Sequence, residues 1–227
     1  MCGIVGAVAR RNITPILIEG LRRLEYRGYD SAGIAIRDSS GRIQRIRSVG
    51  KVASLQQRME ENPIAGELGI AHTRWATHGM PAERNAHPHM SGEQVAVVHN
   101  GIIENHAELR EELTAKGYRF SSETDTEVIA HLLADALKAG NDLCGAFRSV
   151  VGRLVGAYSL AVASPDDPDR IVVARAGSPL VIGLGEGENF VASDVFALLT
   201  ETQRFIFLEE GDLADVRREG VQVFDSE

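Results

Sequence analysis

The sequence predicts an α+β fold in a single domain. Strand-like segments open the chain, helical segments fill its middle and strand-like segments dominate its last third, which is not the strict alternation of a doubly wound sheet. No Pro-, Gly- or Ser-rich linker divides it. Its 227 residues, 44% hydrophobic and 25% charged, are enough for a hydrophobic core without a metal or disulfide staple.

Taken in order, residues 2–9 read as a buried strand. Thr14-Pro15 starts a helix, with Thr14 as N-cap and Pro15 at the first helical position. Leu17, Leu21 and Leu24 make its apolar stripe, and Gly28 is placed to end it. Segments 32–38 and 42–49 read as a hairpin joined through Asp38-Ser39-Ser40-Gly41, followed by a helix over 51–61. A strand over 68–73 leads into a polar loop, roughly 75–93, rich in His, Pro and Gly; long loops of this kind tend to be functional or disordered. Val95 to His99 is a short strand running into Asn100-Gly101. Helices are predicted near 105–116, 126–139 and 142–154, with Thr124 and Glu127 as a capping box for the second. Gly117 and Gly140 suit helix C-termini. Strands are predicted at 157–164, 170–175, 179–184, 189–192, 204–209, 212–216 and 220–224, with a short helix near 194–200.

Lys and Arg number 24 and Asp and Glu 32, a net charge of −8 with no basic block, which argues against nucleic acid or an anionic membrane as partner. No run of 18 apolar residues marks a transmembrane helix, and no basic segment precedes the apolar start as in a secretory signal. Two cysteines, Cys2 and Cys144, make no disulfide framework, so a cytoplasmic location is expected. No Walker-type loop and no Gly-x-Gly-x-x-Gly is present, and no cofactor is expected.

Cys2 is singled out by position. Methionine is generally removed before small residues, which would place a thiol and a free α-amine on one residue. Their ordinary pKa values, about 8.5 and about 7.7–8.0, match neutral pH, the logic of an N-terminal nucleophile. The plainer reading is a buried, inert cysteine. In the loop His72 to Gly79, Arg74 offers a planar fork for a carboxylate, Trp75 is the single tryptophan, and Thr77 and His78 add hydrogen-bonding groups. That loop also reads as a solvated one with an anchoring Trp. Asn100-Gly101 is either a hairpin turn or, with a side-chain amide and a backbone N–H converging, an oxyanion hole. Asp125 heads a predicted helix, where the dipole favours an acid; alternatively it holds a substrate ammonium. His72, His78, His87, His89 and His99 invite a metal, but no Cys lies nearby, His-Glu-x-x-His is absent and no carboxylate is evident to orient them, so no metal is expected. Cys144 reads as a small core residue within a helix.

The order of these stretches resembles one family. Cys2-Gly3-Ile4-Val5-Gly6, Leu24-Glu25-Tyr26-Arg27-Gly28-Tyr29-Asp30-Ser31-Ala32-Gly33, His72 to Gly79, Asn85-Ala86-His87-Pro88-His89, Val98 to Asn105, Ser122 to Glu127, Gly177-Ser178-Pro179-Leu180 and Phe207 to Asp212 are similar to the glutaminase domain of the glutamine–fructose-6-phosphate aminotransferase (glucosamine-6-phosphate synthase) family. That domain is a class II glutamine amidotransferase of the N-terminal-nucleophile type. The resemblance runs over nearly the whole chain.

It implies a four-layer αββα sandwich and one glutaminase domain over 1–227, the sugar isomerase domain being absent from this chain. It implies Cys2 as nucleophile with its α-amine as base, and Asn100 with the Gly101 N–H as oxyanion hole. Arg74 would take the glutamine α-carboxylate and Asp125 the α-ammonium. Trp75, Thr77 and His78 would belong to a loop closing over glutamine, His87 would lie at the same site, and Arg27 would order the N-terminal residue. A Cys2 γ-glutamyl thioester would form and be hydrolysed, giving glutamate and ammonia. The partners implied are L-glutamine and an isomerase domain, fused or separate, in a homo-oligomeric full enzyme that makes glucosamine 6-phosphate. A chain retaining Met1 would carry its α-amine on the wrong residue and is expected to be inactive. Rival readings are the glutaminase domain of another class II amidotransferase, a non-catalytic glutamine-sensing module, and a zinc hydrolase. The run Thr73 to Gly79 favours the sugar synthase over the first, and the occupied catalytic positions argue against the second.

Overall fold

The computed structural model describes residues 2–76 and 79–225. The elements run β1 (Gly3–Val8), α1 (Thr14–Leu24), β2 (Ser31–Arg37), β3 (Ile43–Val49), α2 (Val52–Glu61), β4 (Leu68–Arg74), β5 (His89–Ser91), β6 (Val95–Ile103), α3 (His106–Ala115), α4 (Thr126–Lys138) and α5 (Leu143–Val151). They continue with β7 (Gly156–Ala163), β8 (Arg170–Ala176), β9 (Val181–Leu184), β10 (Asn189–Ala192), β11 (Phe205–Phe207), β12 (Leu213–Arg217) and β13 (Val221–Phe224). The strands form a seven-stranded sheet, β11-β9-β10-β1-β4-β2-β3, and a six-stranded sheet, β13-β12-β8-β7-β6-β5. Every paired ladder is antiparallel.

Side-chain alternation along the strands builds the layers. On β1, Val5 and Ala7 face α1 and α2 in a cluster with Leu17, Leu21 and Leu24, while Ile4 and Val8 face the other sheet. On β6, Val95 and Val97 face α4 and α5, while Ala96 and Val98 meet Ile4 and Val8 in the inter-sheet cluster. The result is helices, sheet, sheet, helices: the αββα sandwich the resemblance implies. Among the described residues no helix is long and apolar enough to cross a membrane.

Several local expectations are corrected. Thr14 is the first helical residue and Pro15 the second; the cap is Ile13, the Asn12 side chain accepts the Thr14 N–H at 3.2 Å, and the Thr14 hydroxyl donates to Ile64 O. The helix ends at Leu24, and a 3₁₀ turn, Glu25–Arg27, carries the chain on to Gly28. Glu127 does reach back, but its carboxylate accepts from the backbone and hydroxyls of Ser121 and Ser122, and Asp125, not Thr124, is the cap residue. The polar loop holds a 3₁₀ turn at Glu83–Asn85 and the strand β5. Near 194–200 only Val195–Ala197 is helical, as a 3₁₀ turn. Cys144 is the second residue of α5 and only half-buried at the edge of the core.

A candidate active site at the start of the central strand

β1 lies between β4 and β10, so the chain enters the middle of the seven-stranded sheet and Cys2 precedes its first paired residue. The adjoining end of β1 is tied down on one side by Ser193, whose hydroxyl accepts the Ile4 N–H at 3.0 Å and whose N–H donates to Ile4 O. Arg27, buried, donates from Nη1 to Ser193 O at 3.2 Å and pairs with Asp194. Cys2 Sγ accepts the backbone N–H of Trp75 at 3.2 Å. Burial pushes the Cys2 thiol up, and the contact with the Trp75 backbone works against that rise.

Asn100 and Gly101 come from the other sheet. The hairpin reading is not what forms: β6 runs through the pair to Ile103, with Asn100 opposite Ser159 and Gly101 opposite Tyr158. Gly101 has φ +118°, and a Cβ there would lie 1.9 Å from Ala157 O, so glycine is required twice over. The Asn100 Nδ2 donates to Cys2 O at 3.2 Å, which brings the amide beside the residue that carries the thiol.

Arg74 ends β4, is 3% exposed, and donates from Nη2 to Gly79 O at 3.0 Å. Asp125 is 4% exposed and accepts the Ile103 N–H through Oδ2 at 2.8 Å. A tight cavity of about 20 Å³ is lined by Cys2, Arg74, Asp125, His87, His99 and Thr126, among others. At that size it holds about one water molecule, with the guanidinium of Arg74 and the carboxylate of Asp125 both in its wall. A second cavity, about 290 Å³, opens from Cys2 past Trp75 toward Arg27, Ile102 and Pro179. Trp75 is 48% exposed and meets Tyr29 edge-on, ring centroids 5.6 Å apart. Thr77 and His78 lie outside the described residues.

Beneath the small cavity sit neutral histidines. His87 stacks on His72 with centroids 4.1 Å apart. Its Nδ1 accepts the His99 N–H, its Nε2 faces the Thr126 hydroxyl, and that hydroxyl meets His99 Nδ1 at 2.9 Å. Burial, above all, lowers the pKa of His72 to about 3 and that of His87 well below the usual value. Among the described residues no group of three or more His, Cys, Asp or Glu is arranged to hold a metal ion.

Sequence reasoning missed Asp30, whose carboxylate accepts the Ala76 N–H and orders the loop after Arg74. It also missed Ser193, Thr126 and the close approach at Gly33, where a Cβ would lie 2.0 Å from His87 O. The stretch Arg27 to Gly33 entered only through its resemblance, because nothing in its spacing announces a contact with residues 74–87. Larger clefts lie elsewhere; one of about 460 Å³ between Asn12, Arg37 and Arg218 has neither cysteine nor histidine in its lining. The arrangement around Cys2 thus gathers a thiol, the Asn100 amide, and a buried arginine and a buried aspartate that line one cavity.

Comparison with known proteins shows the family of the chain. Residues 72–200, more than half of the chain, match the family described as "Glutamine amidotransferase domain". The chain is 65% identical over 225 residues to the glutamine–fructose-6-phosphate aminotransferase (isomerizing) of Pseudomonas aeruginosa, and 61% identical over 225 residues to that of Escherichia coli K12. Each alignment takes in 99% of this chain but 37% of the relative, so the chain spans well under half the length of the curated relatives it matches. Among solved structures, the glutamine phosphoribosylpyrophosphate amidotransferase of B. subtilis superposes with a TM-score of 0.85 at 26% identity, covering 100% of this chain and 49% of that one. A glutamine aminotransferase class-II domain protein from Silicibacter pomeroyi shares the fold, with a TM-score of 0.67 at 16% identity.

Proposed function

We infer, from a chain that belongs to the glutamine amidotransferase domain family, that it hydrolyses the side-chain amide of L-glutamine at Cys2. The observation that carries this reading is the small cavity whose lining includes Cys2, Arg74 and Asp125 together. A guanidinium and a carboxylate facing one space match the α-carboxylate and α-ammonium of an amino acid and leave its side chain to reach the thiol.

The chemistry proceeds from removal of Met1, which leaves the α-amine on Cys2. That amine takes the thiol proton, and sulfur forms a bond to the amide carbon. Asn100 Nδ2 and the Gly101 N–H hold the resulting oxyanion. The C–N bond breaks as the α-ammonium returns the proton, and ammonia leaves. Water then attacks the γ-glutamyl thioester, releasing glutamate and restoring the thiol. Trp75, Thr77 and His78 belong to the loop that closes over the substrate. His87 supports the cavity floor, and Arg27 orders the first residues through Ser193.

For a protein in which this unit is followed by the rest of its relatives' length, we propose the activity named for those relatives. The unit 1–227 is the glutaminase domain, and a sugar isomerase domain receives the ammonia and makes glucosamine 6-phosphate, in a cytoplasmic homo-oligomer. The names and the 65% identity of the relatives support this.

The test is an intact mass before and after incubation with an electrophilic glutamine analogue. Loss of one methionine and a single adduct on Cys2 is expected. A processed chain that takes up no analogue and releases no ammonia from glutamine would overturn the reading.

A further inference from the structure

We propose that His72 is the positioning residue that decides which end of the Asn100 side-chain amide faces Cys2; the proposal rests on the glutaminase reading. His72 stands on β4 in the seven-stranded sheet, opposite Ile4, whereas Asn100 stands on β6 in the six-stranded sheet. Their contact therefore crosses between the sheets at the level of the nucleophile.

His72 Nε2 lies 3.0 Å from Asn100 Oδ1 and 3.0 Å from the backbone oxygen of His99. A backbone carbonyl only accepts, so Nε2 carries the hydrogen and shares it between the two oxygens. The ring is then neutral with a bare Nδ1. That atom is buried with no hydrogen-bond partner, which suits a lone pair better than an N–H. The ring is completely buried, His87 lies flat against it, and the fields of His99 and Arg74 disfavour a second proton.

With an N–H fixed on one side, Asn100 turns its oxygen toward His72 and its NH₂ toward Cys2 O. A flipped amide would set NH₂ against N–H and oxygen against oxygen, both unfavourable. The amide NH₂ has two hydrogens, so the one bonded to Cys2 O leaves a second for the oxyanion. A histidine that never touches glutamine thereby sets the donor geometry of the reaction.

The experiment compares kcat and KM for glutamine in the processed wild type, His72→Leu, His72→Gln, Asn100→Ala and the double variant His72→Leu/Asn100→Ala. Asn100→Ala is expected to lower kcat roughly 100-fold. His72→Leu should lower kcat about 10- to 100-fold with KM within about two-fold of wild type, because Arg74 and Asp125 are untouched, and the double variant should be no worse than Asn100→Ala. His72→Gln retains an N–H donor and should recover most of the loss. Additive losses in the double variant, a KM that rises as kcat falls, or no recovery in His72→Gln would overturn the proposal. A reading independent of folding of the variants comes from ¹⁵N-histidine NMR of the wild type. His72 should show a protonated Nε2 and a bare Nδ1 from pH 5 to 8, and a protonated Nδ1 or a titrating ring overturns the proposal. Wild type that makes no ammonia fails the glutaminase reading itself, whereas active wild type with an unimpaired His72→Leu fails only the positioning role.

Discussion

Asp125 Oδ2 lies 2.8 Å from the backbone nitrogen of Ile103, so the carboxylate at the head of α4 is pinned by the end of β6. The pin and the charge are separable. Asp125→Asn keeps an oxygen for the Ile103 N–H and removes the charge, and its KM for glutamine should rise about 100-fold with little change in Tm. Asp125→Ala should lose most of kcat/KM and also about 1 kcal/mol or more of stability, since the buried N–H goes unpaired. Steady-state kinetics paired with thermal melts check both, and a near-wild-type KM in the asparagine variant would remove Asp125 from the ammonium site.

Gly101→Ala should be among the most damaging single substitutions. The new Cβ would meet Ala157 O at 1.9 Å in a backbone with φ +118°. The expected cost is about 2 kcal/mol or more, with a large fall in kcat as the Gly101 N–H moves. A melt and a kcat that both match wild type would show that β6 can bend there freely.

The buried histidines set a pH dependence of stability. His72 and His89 are lowered to about 3 and His87 well below its usual value, in each case chiefly by burial. Between about pH 6.5 and pH 3 the unfolded chain binds protons that the folded chain refuses, so stability falls as pH falls through that window. Each such residue contributes up to about 1.4 kcal/mol per pH unit. The urea midpoint should therefore drop between pH 7 and pH 5, before carboxylates titrate. His89→Gln, which can still meet Thr124, should flatten the slope. A midpoint constant from pH 7 to 5 would be inconsistent with neutral, buried rings.

Glu127 collects two backbone N–H groups and two hydroxyls from Ser121 and Ser122, at 2.6 to 2.9 Å. Glu127→Gln puts an NH₂ group where one oxygen accepted two of these bonds. It should cost about 1–3 kcal/mol, read as a lowered urea midpoint. An unchanged midpoint would mean that water replaces the lost acceptor.

The layered fold was legible because each strand writes its two faces in alternation. Val95 and Val97 against Ala96 and Val98 is enough to place one helix-facing and one sheet-facing surface. Asn100-Gly101 shows where short signals mislead: the dipeptide favours a hairpin in isolation, yet pairing with Ser159 and Tyr158 continues the strand through it. Thr14 fails as a cap for a similar reason, since Ile64 O takes its hydroxyl from 50 residues away. In the site, Cys2, Arg74 and Asp125 suggested roles by residue type and position. Their meeting in one cavity depends on the two sheets stacking, which no local pattern encodes. The His72–Asn100 contact, formed across the sheets, left no trace in spacing at all.

The place of β1 between β4 and β10 also sets a timetable for biosynthesis. β4 is complete at Arg74, but β10 begins only at Asn189. At about 5–20 residues per second, the ribosome needs on the order of 10–40 s to reach that point. For that interval the first strand has at most one of its two neighbours, and the seven-stranded sheet stays open beside it. The strand that leads the chain is thus among the last to gain both of its neighbours.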